Sequence, residues 1–389
     1  VWITGVGLLT CLGEGLEVTW GHLERGDPPP YDDKNFAPYI VHPLGAINFD
    51  KQIPKRSDQR QMELWQRIGV YTAGLALADA GIAGNPELLD RTDMIVAAGG
   101  GERDLPTDSA ILTGMRKTSE VGRFLNERLM SDLRPTLFLA QLPNLLAGNI
   151  SIVHGVVGSS RTFLGEESAG IDAVRIAHAR IAAGQSDLTL VGAAYNGARW
   201  DILLIFEQSG SVLRDRFAPV WDRGPRGGMA LGNMGAFLIL ESRQHAQARG
   251  ARPRARISSI ISGRNRRQQG DFERAFRSQW QAIAAKVDRQ HAAILSGAAG
   301  VEPATSEEGQ LLREIGLPIR NTGTYIGHGI EAQFPANLAI ACAAIEHGNL
   351  FAPTGTGDTG PDVAGLSQML VTSVGNWRGE GLALIERAD

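Results

Sequence analysis

A layered α/β fold is predicted by three features of this chain. Short apolar strands alternate with helical patterns in both halves of its 389 residues. Glycines punctuate the ends of those segments. The apolar content, 43%, is sufficient for a large core, consistent with two fused units of about 150 to 200 residues each.

The elements follow in order. Val1-Trp-Ile-Thr-Gly-Val-Gly7 reads as a buried strand running into a glycine turn, and Leu16 to Leu23 as a short helix. Gln59 to Asp79 places Met62, Leu64, Trp65, Ile68, Tyr71, Leu75 and Ala78 among small residues, a buried helix ended by Gly81. Met94 to Gly99 is a compact strand; Phe138 to Ile150 reads as a helix, as does Ser168 to Ala183, stopped by Gly184 before a central strand at Leu188 to Gly192. The order recurs: strand at Arg254 to Ser262, helix at Asp271 to Gln290, strand at Ala292 to Ser296, buried helix at Glu331 to His347, closing strand at Leu382 to Ile385. Gly26 to Tyr39 and Thr354 to Gly365 are surface loops by composition.

Bulk properties narrow the function. The net charge of -4 offers no basic field for nucleic acid. No apolar run reaches the roughly 20 residues that a bilayer requires, so an integral membrane protein is not expected. Cys11 and Cys342 are the only cysteines; a disulfide framework is not expected, and a cytoplasmic location is. No signal peptide is visible, and the start within a strand leaves room for residues ahead of Val1. Gly5-Val6-Gly7 lacks the third glycine of a dinucleotide fingerprint. His154, His178, His291 and His347 are scattered without metal-ligand spacing, so neither cofactor nor metal is expected.

Several ordered segments carry a resemblance. They are Ile3-Thr-Gly-Val-Gly7 with Trp20, Leu23 and Gly26; Leu145 to Ile152 with Gly155 to Gly158; Ala179 to Gly192; Ala218-Pro-Val-Trp-Asp222 with Gly228 and Gly232; Gly327-His328-Gly329 with Glu331 to Gly348; and Pro353-Thr354. Together they resemble the elongating β-ketoacyl synthases over about 370 residues. That resemblance implies a thiolase-like, five-layered α-β-α-β-α fold with two pseudo-duplicated halves, 1–240 holding the nucleophile-position elbow and 241–389 holding His328. No duplication is visible as sequence identity.

The resemblance also implies a site. Such enzymes use a cysteine at a helix N-terminus as thiolate nucleophile, with two histidines assisting decarboxylation. Counting seventeen residues back from Gly184 puts Glu167 at the cysteine position. The segment Ile294 to Ala298 puts Ser296 at the first histidine; the second is kept as His328, Gly323 replaces the lysine, and Asn376 falls at the gating phenylalanine of the C-terminal loop. A carboxylate cannot form an acyl thioester. Glu167 reads either as a polar cap near a helix N-terminus, or as a carboxylate imitating an acyl intermediate or malonate. Burial would raise its pKa unless backbone N–H groups or Arg161 compensated, and neighbouring Glu166 competes with it for the inward position. A hydrolase built on Ser296, His328 and Glu167 is disfavoured by the lack of a Gly-x-Ser-x-Gly elbow.

Within the family, loss of the nucleophile implies a chain-length factor: a non-condensing subunit that pairs with a cysteine-containing ketosynthase as a heterodimer or tetramer, works with an acyl carrier protein, and self-pairs as a homodimer when isolated. Type II polyketide or aryl polyene systems are the implied setting. The seam would run along Leu142 to Arg161, where Leu145, Leu146, Ile150 and Ile152 are core or interface. Phe138 and the loop 133–137 would line the neighbour's pocket. A malonyl-carrier decarboxylase and a homodimeric scaffold are the alternatives.

Overall fold

The structure is a computed structural model and describes residues 1–133 and 135–388, with the side chains of Pro135, Thr136 and Ala140 outside the description. Two five-stranded arrays dominate it. The first runs Ser160–Phe163, Asp93–Ala97, Leu188–Tyr195, Met234–Glu241, Trp2–Thr10. The second runs Ile319–Asn321, Ala292–Ser296, Gln368–Val374, Glu380–Glu386, Ala255–Gly263. In each array the first three strands are parallel and the last two antiparallel. The same order and signs thus occur twice, which is the pseudo-duplication that the sequence conceals. The arrays join where Trp2 and Ile3 meet Arg256 and Ala255.

Five layers follow from the packing. Helices Glu167–Ala182 and Gln333–His347 touch strands of both arrays and fill the space between them. The latter helix is buried from Gln333 through Ile345, so it is apolar all round rather than striped. Leu64–Asp79 and Leu145–His154 cover the outer face of the first array, where Ile68, Tyr71, Leu146 and Ile150 share a core with Leu190, Phe237 and Ile239. Asp271–Ala284 and Ala304–Ile315 cover the second, through Phe272, Phe276, Ile283 and Leu312. This is the thiolase-like α/β fold.

Gly7 explains one sequence feature. A Cβ there would sit 2.0 Å from the Thr72 carbonyl oxygen, so the opening glycines let helix Leu64–Asp79 lie directly on the first strand.

Some expected boundaries move. The helix expected from Gln59 is two, Arg56–Gln61 and Leu64–Asp79, because Glu63 caps the second through a box with Gln66. The helix expected over 138–150 is also broken, into Pro135–Ala140 and Leu145–His154; Pro143 stands in the gap and cannot donate to a continuous ladder. The long helix from Asp271 stops at Ala284. Helices Leu105–Met115, Val121–Asp132 and Ala304–Ile315, and strands Ser160–Phe163 and Met234–Glu241, were not expected from the sequence.

Candidate active site

Strand Ser160–Phe163 delivers the chain into helix Glu167–Ala182, and Glu167 is the first residue of that helix. Its side chain is 3% exposed and lies in the N-terminal field of the helix, where a carboxylate is favoured. Glu166 points the other way: its oxygens lie 3.3 Å from the Arg378 guanidinium near the surface. The inward acid is therefore Glu167.

The partner of Glu167 comes from the second half. His328 is 2% exposed, with Nε2 3.3 Å from Glu167 Oε1. The imidazole donates when that nitrogen carries the proton. The histidine turn is fixed by its backbone: His328 N–H donates to the Ala230 carbonyl at 2.8 Å, and its own carbonyl accepts from Gly232 N–H at 2.9 Å. Gln333 accepts from Gly329 N–H at 3.0 Å and donates to Thr322 and Asn337, tying the turn to the start of helix Gln333–His347. Glu167 Oε2 and His328 Nδ1 are sealed from solvent with no hydrogen-bond partner.

The space beside this pair is small. A cavity of about 10 Å³ is lined by Glu167, Gly297, His328, Ile330, Gln333, Phe334 and Thr372–Val374. That is the lower limit for one water molecule and far below the room an acyl chain needs.

The other expected positions scatter around it. Ser296 does not line the cavity. Its hydroxyl donates to Glu308 at 3.1 Å and accepts from Ala298 N–H at 3.0 Å; Gly297 is the residue that reaches the cavity wall. Gly323 opens the short helix Gly323–Ile326, where a Cβ would already press on Asn321 and Val220 at 3.1 Å each, leaving little space for a lysine. Asn376 lies in the C-terminal turn, its amide 3.8 Å from Met229 sulfur. Arg161 is exposed on the edge strand, and the side chain that meets Glu167 is His328.

The interface expectation divides. Leu146 and Ile150 are fully buried beneath helix Leu64–Asp79, so both belong to the core and neither lines an interface or pocket in this chain. Leu145 is half-buried, whereas Phe138 and Ile152 are 68% and 73% exposed. Of the 133–137 loop, Arg134 and the side chains of Pro135 and Thr136 lie outside the described residues, and Leu137 is buried.

Sequence reasoning missed two buried acids. Glu331 accepts Gly99 N–H at 2.6 Å, and its carbonyl abuts Gly170, one turn into the Glu167 helix. Burial pushes its carboxyl up to about 8, with the Glu167 charge adding to the rise. Glu308, held by Thr372 and Ser296, is pushed by burial up to about 7. For Glu331 the available signal was a carboxylate set in the small, apolar run 330–345. Tyr195, whose hydroxyl is buried without a partner, is raised by burial and then by the nearby Glu331.

Neither cysteine is a ready nucleophile. Burial pushes Cys11 up to about 12 and raises Cys342 as well, and Cys342 is enclosed in helix Gln333–His347. Among the described residues no group of three or more metal-ligating side chains occurs, and no helix is long and apolar enough to cross a membrane.

The family model for the β-ketoacyl synthase N-terminal domain matches residues 1–246. This chain belongs to the β-ketoacyl synthase family. It is 26% identical over 265 residues to 3-oxoacyl-[acyl-carrier-protein] synthase 2 of Vibrio cholerae, a match over 66% of this chain and 61% of that relative. The chain thus spans less than two thirds of that protein's length. It is 24% identical to the oxytetracycline polyketide putative β-ketoacyl synthase 1 of Streptomyces rimosus, over 89% of this chain and 84% of the relative. The solved ishigamide ketosynthase/chain length factor superposes with a TM-score of 0.81 at 18% identity, over 100% of this chain and 99% of that one. The chain is therefore a β-ketoacyl synthase family member that is similar to a polyketide β-ketoacyl synthase and shares its fold with a solved ketosynthase/chain length factor.

Proposed function

We propose that this ketosynthase-family chain is a non-condensing, chain-length-factor-like subunit that associates with a cysteine-containing ketosynthase. The observation that carries this reading is Glu167. At the helix N-terminus where a thiolate would stand, a buried carboxylate is engaged by His328 and faces a cavity of about 10 Å³. A carboxylate there offers no thioester, and the cavity has no room for an acyl chain. Ser296, Gly323 and Asn376 are read as relics of the same lost chemistry, and His328 as the retained histidine turned to holding Glu167.

The surface supports the partner. Strand Ser160–Phe163 is the outer edge of its array, with backbone groups unpaired on one side. Exposed Ile152, Val157 and Leu164 flank it, at 73%, 57% and 66% exposure. Phe138, with Leu129 and Met130, rims a groove of about 510 Å³ close in sequence to this edge. Exposed apolar side chains on segments adjoining an open sheet edge are what a stable interface buries, on the scale of over about 1,000 Å². In this reading Phe138, Leu145 and Arg161 face the partner, an acyl carrier protein serves the pair, and the halves 1–240 and 241–389 act as one body. A type II polyketide or aryl polyene system is the setting we favour.

Native mass spectrometry after co-expression with a cysteine-containing ketosynthase from the same system tests this. A one-to-one complex is expected, together with no acyl-enzyme on the isolated chain. A persistent homodimer that ignores the synthase, or a robust acyl-enzyme on this chain, would overturn it. The size of the cavity and the loss of the first histidine both count against a malonyl-carrier decarboxylase.

A further inference from the structure

Strand Asp93–Ala97 is followed by three glycines, Gly99–Gly101, and the chain then enters two helices, Leu105–Met115 and Val121–Asp132. The helices pair with each other: a Cβ on Gly114 would fall 2.1 Å from the Phe124 ring. Among their described residues only Ile111 is buried, so little apolar burial holds this hairpin to the body. Two carboxyls pin its glycine end. Glu331 Oε1 accepts the Gly99 N–H at 2.6 Å, and a Cβ on Gly99 would lie 2.8 Å from the same oxygen, so the close approach uses glycine. Glu102 Oε1 accepts the Trp65 N–H and the Asn196 amide, at 2.9 Å each. Two residues further on, Asp104 caps helix Leu105–Met115 through the Thr107 N–H. Arg103, Asp104 and Asp108 line the groove that Leu129, Met130 and Phe138 rim.

The Glu331 carboxyl is poorly placed to carry charge. The turn that bears it, Ile330–Ala332, is buried between the inner helices. Its Glu331 carbonyl abuts Gly170, and Ile330 holds φ 46°, a left-handed conformation unfavourable for a β-branched residue. Helix Glu167–Ala182 brings the Glu167 charge towards the carboxyl, and His328, two residues before the turn, is engaged with Glu167. Strand Leu188–Tyr195 brings Tyr195, whose hydroxyl has no partner. Arg199 follows that strand, and Asp201 shares it at 3.2 Å. Strand Met234–Glu241 meets the turn region through Met234, and helix Gln333–His347 starts from it with Gln333. Burial first, and then the Glu167 charge, favour the protonated acid. In that form Oε1 is a carbonyl oxygen and still accepts the Gly99 N–H. Once ionised, the group needs water. The turn is enclosed, whereas Gly99 and Gly101 are half-buried and Gly100 is exposed, so the glycine segment is the side that gives way.

We propose that Glu331 is a proton-controlled tether for the helical hairpin 105–132. Protonated, it pins Gly99 and keeps the hairpin seated on the body. Ionised, it lets the glycine segment lift, which hydrates the carboxylate, loosens the hairpin and reshapes the groove at its base. Glu331 is a positioning residue: it acts on the hairpin through one backbone N–H. This inference is independent of the partner reading and is tested on the isolated chain.

The test is hydrogen exchange read by mass spectrometry at pH 6.5 and pH 8.5, with rates corrected for the intrinsic dependence of amide exchange on pH. An opening that hydrates a carboxyl otherwise raised from 4.5 to about 8 should become about twentyfold more favourable over this interval. Corrected exchange of residues 100–132 is expected to rise by that factor in wild type, while the inner helix 333–345 stays protected at both pH values. Glu331→Gln keeps an acceptor for Gly99 and does not ionise, so its hairpin should exchange slowly at both. Glu331→Ala should exchange fast at both. Glu102→Gln, which leaves Glu331 in place, should keep the wild-type response to pH. Equal hairpin protection in wild type at the two pH values would overturn the proposal. So would a response that survives in Glu331→Gln or vanishes in Glu102→Gln, or a parallel loss of protection in helix 333–345, which marks global unfolding.

Discussion

Replacing Glu331 by glutamine should change how the protein's stability depends on pH. The carboxyl is buried against Gly99 and pushed up to about 8, from an ordinary value of 4.5. Between those values the folded chain keeps a proton that the unfolded chain releases. Stability therefore falls as pH rises through this window, by about 1.4 kcal/mol per pH step. From pH 5 to pH 7.5 this one group costs wild type about 3 kcal/mol. Glutamine has nearly the same shape, can still accept Gly99 N–H, and does not titrate. Relative to wild type, Glu331→Gln should gain about 3 kcal/mol over that interval, or roughly 5 °C in Tm. Thermal unfolding of both proteins at the two pH values gives the comparison. A Tm difference that is the same at pH 5 and pH 7.5 would refute the reasoning, because the folded carboxyl would then ionise as it does in water.

Further outcomes follow from the same geometry. Glu167→Gln retains an acceptor for His328 and should change stability by under about 1 kcal/mol, whereas Glu167→Ala strands the imidazole and should cost about 2 to 4 kcal/mol, both read by chemical denaturation. Gly170→Ala would place a Cβ 2.2 Å from the Glu331 carbonyl and should lower stability by about 2 kcal/mol or more, seen as a drop in Tm. Leu146→Ala, in the closed core, should cost about 2 to 5 kcal/mol by the same assay. Ile152→Asp on the surface should leave Tm nearly unchanged, within about 0.5 kcal/mol, yet weaken co-purification with the partner synthase at least about tenfold.

The sequence by itself determined the class of fold and the inward-facing chemistry at one point. Alternating short strands and buried helices required layers, and the spacing back from Gly184 placed an acid at the start of an inner helix. The run of small residues before His347 likewise required a helix enclosed on every side. Other features depended on contacts between residues far apart in the chain. Only the tertiary structure chose Glu167 over Glu166, since either could begin the helix and just one meets His328, 161 positions away. Periodicity marked Leu146, Ile150 and Ile152 alike as apolar; packing against Leu64–Asp79 buried the first two and left the third outside. Ser296 looked like a site residue by register, but its hydroxyl bonds to Glu308, and it is Gly297 that reaches the cavity. The weight of Glu331 and the three contacts of the Arg267 guanidinium were invisible for the same reason. A carboxylate's pKa and a guanidinium's partners are set by what surrounds them in space, and no local sequence pattern carries that information.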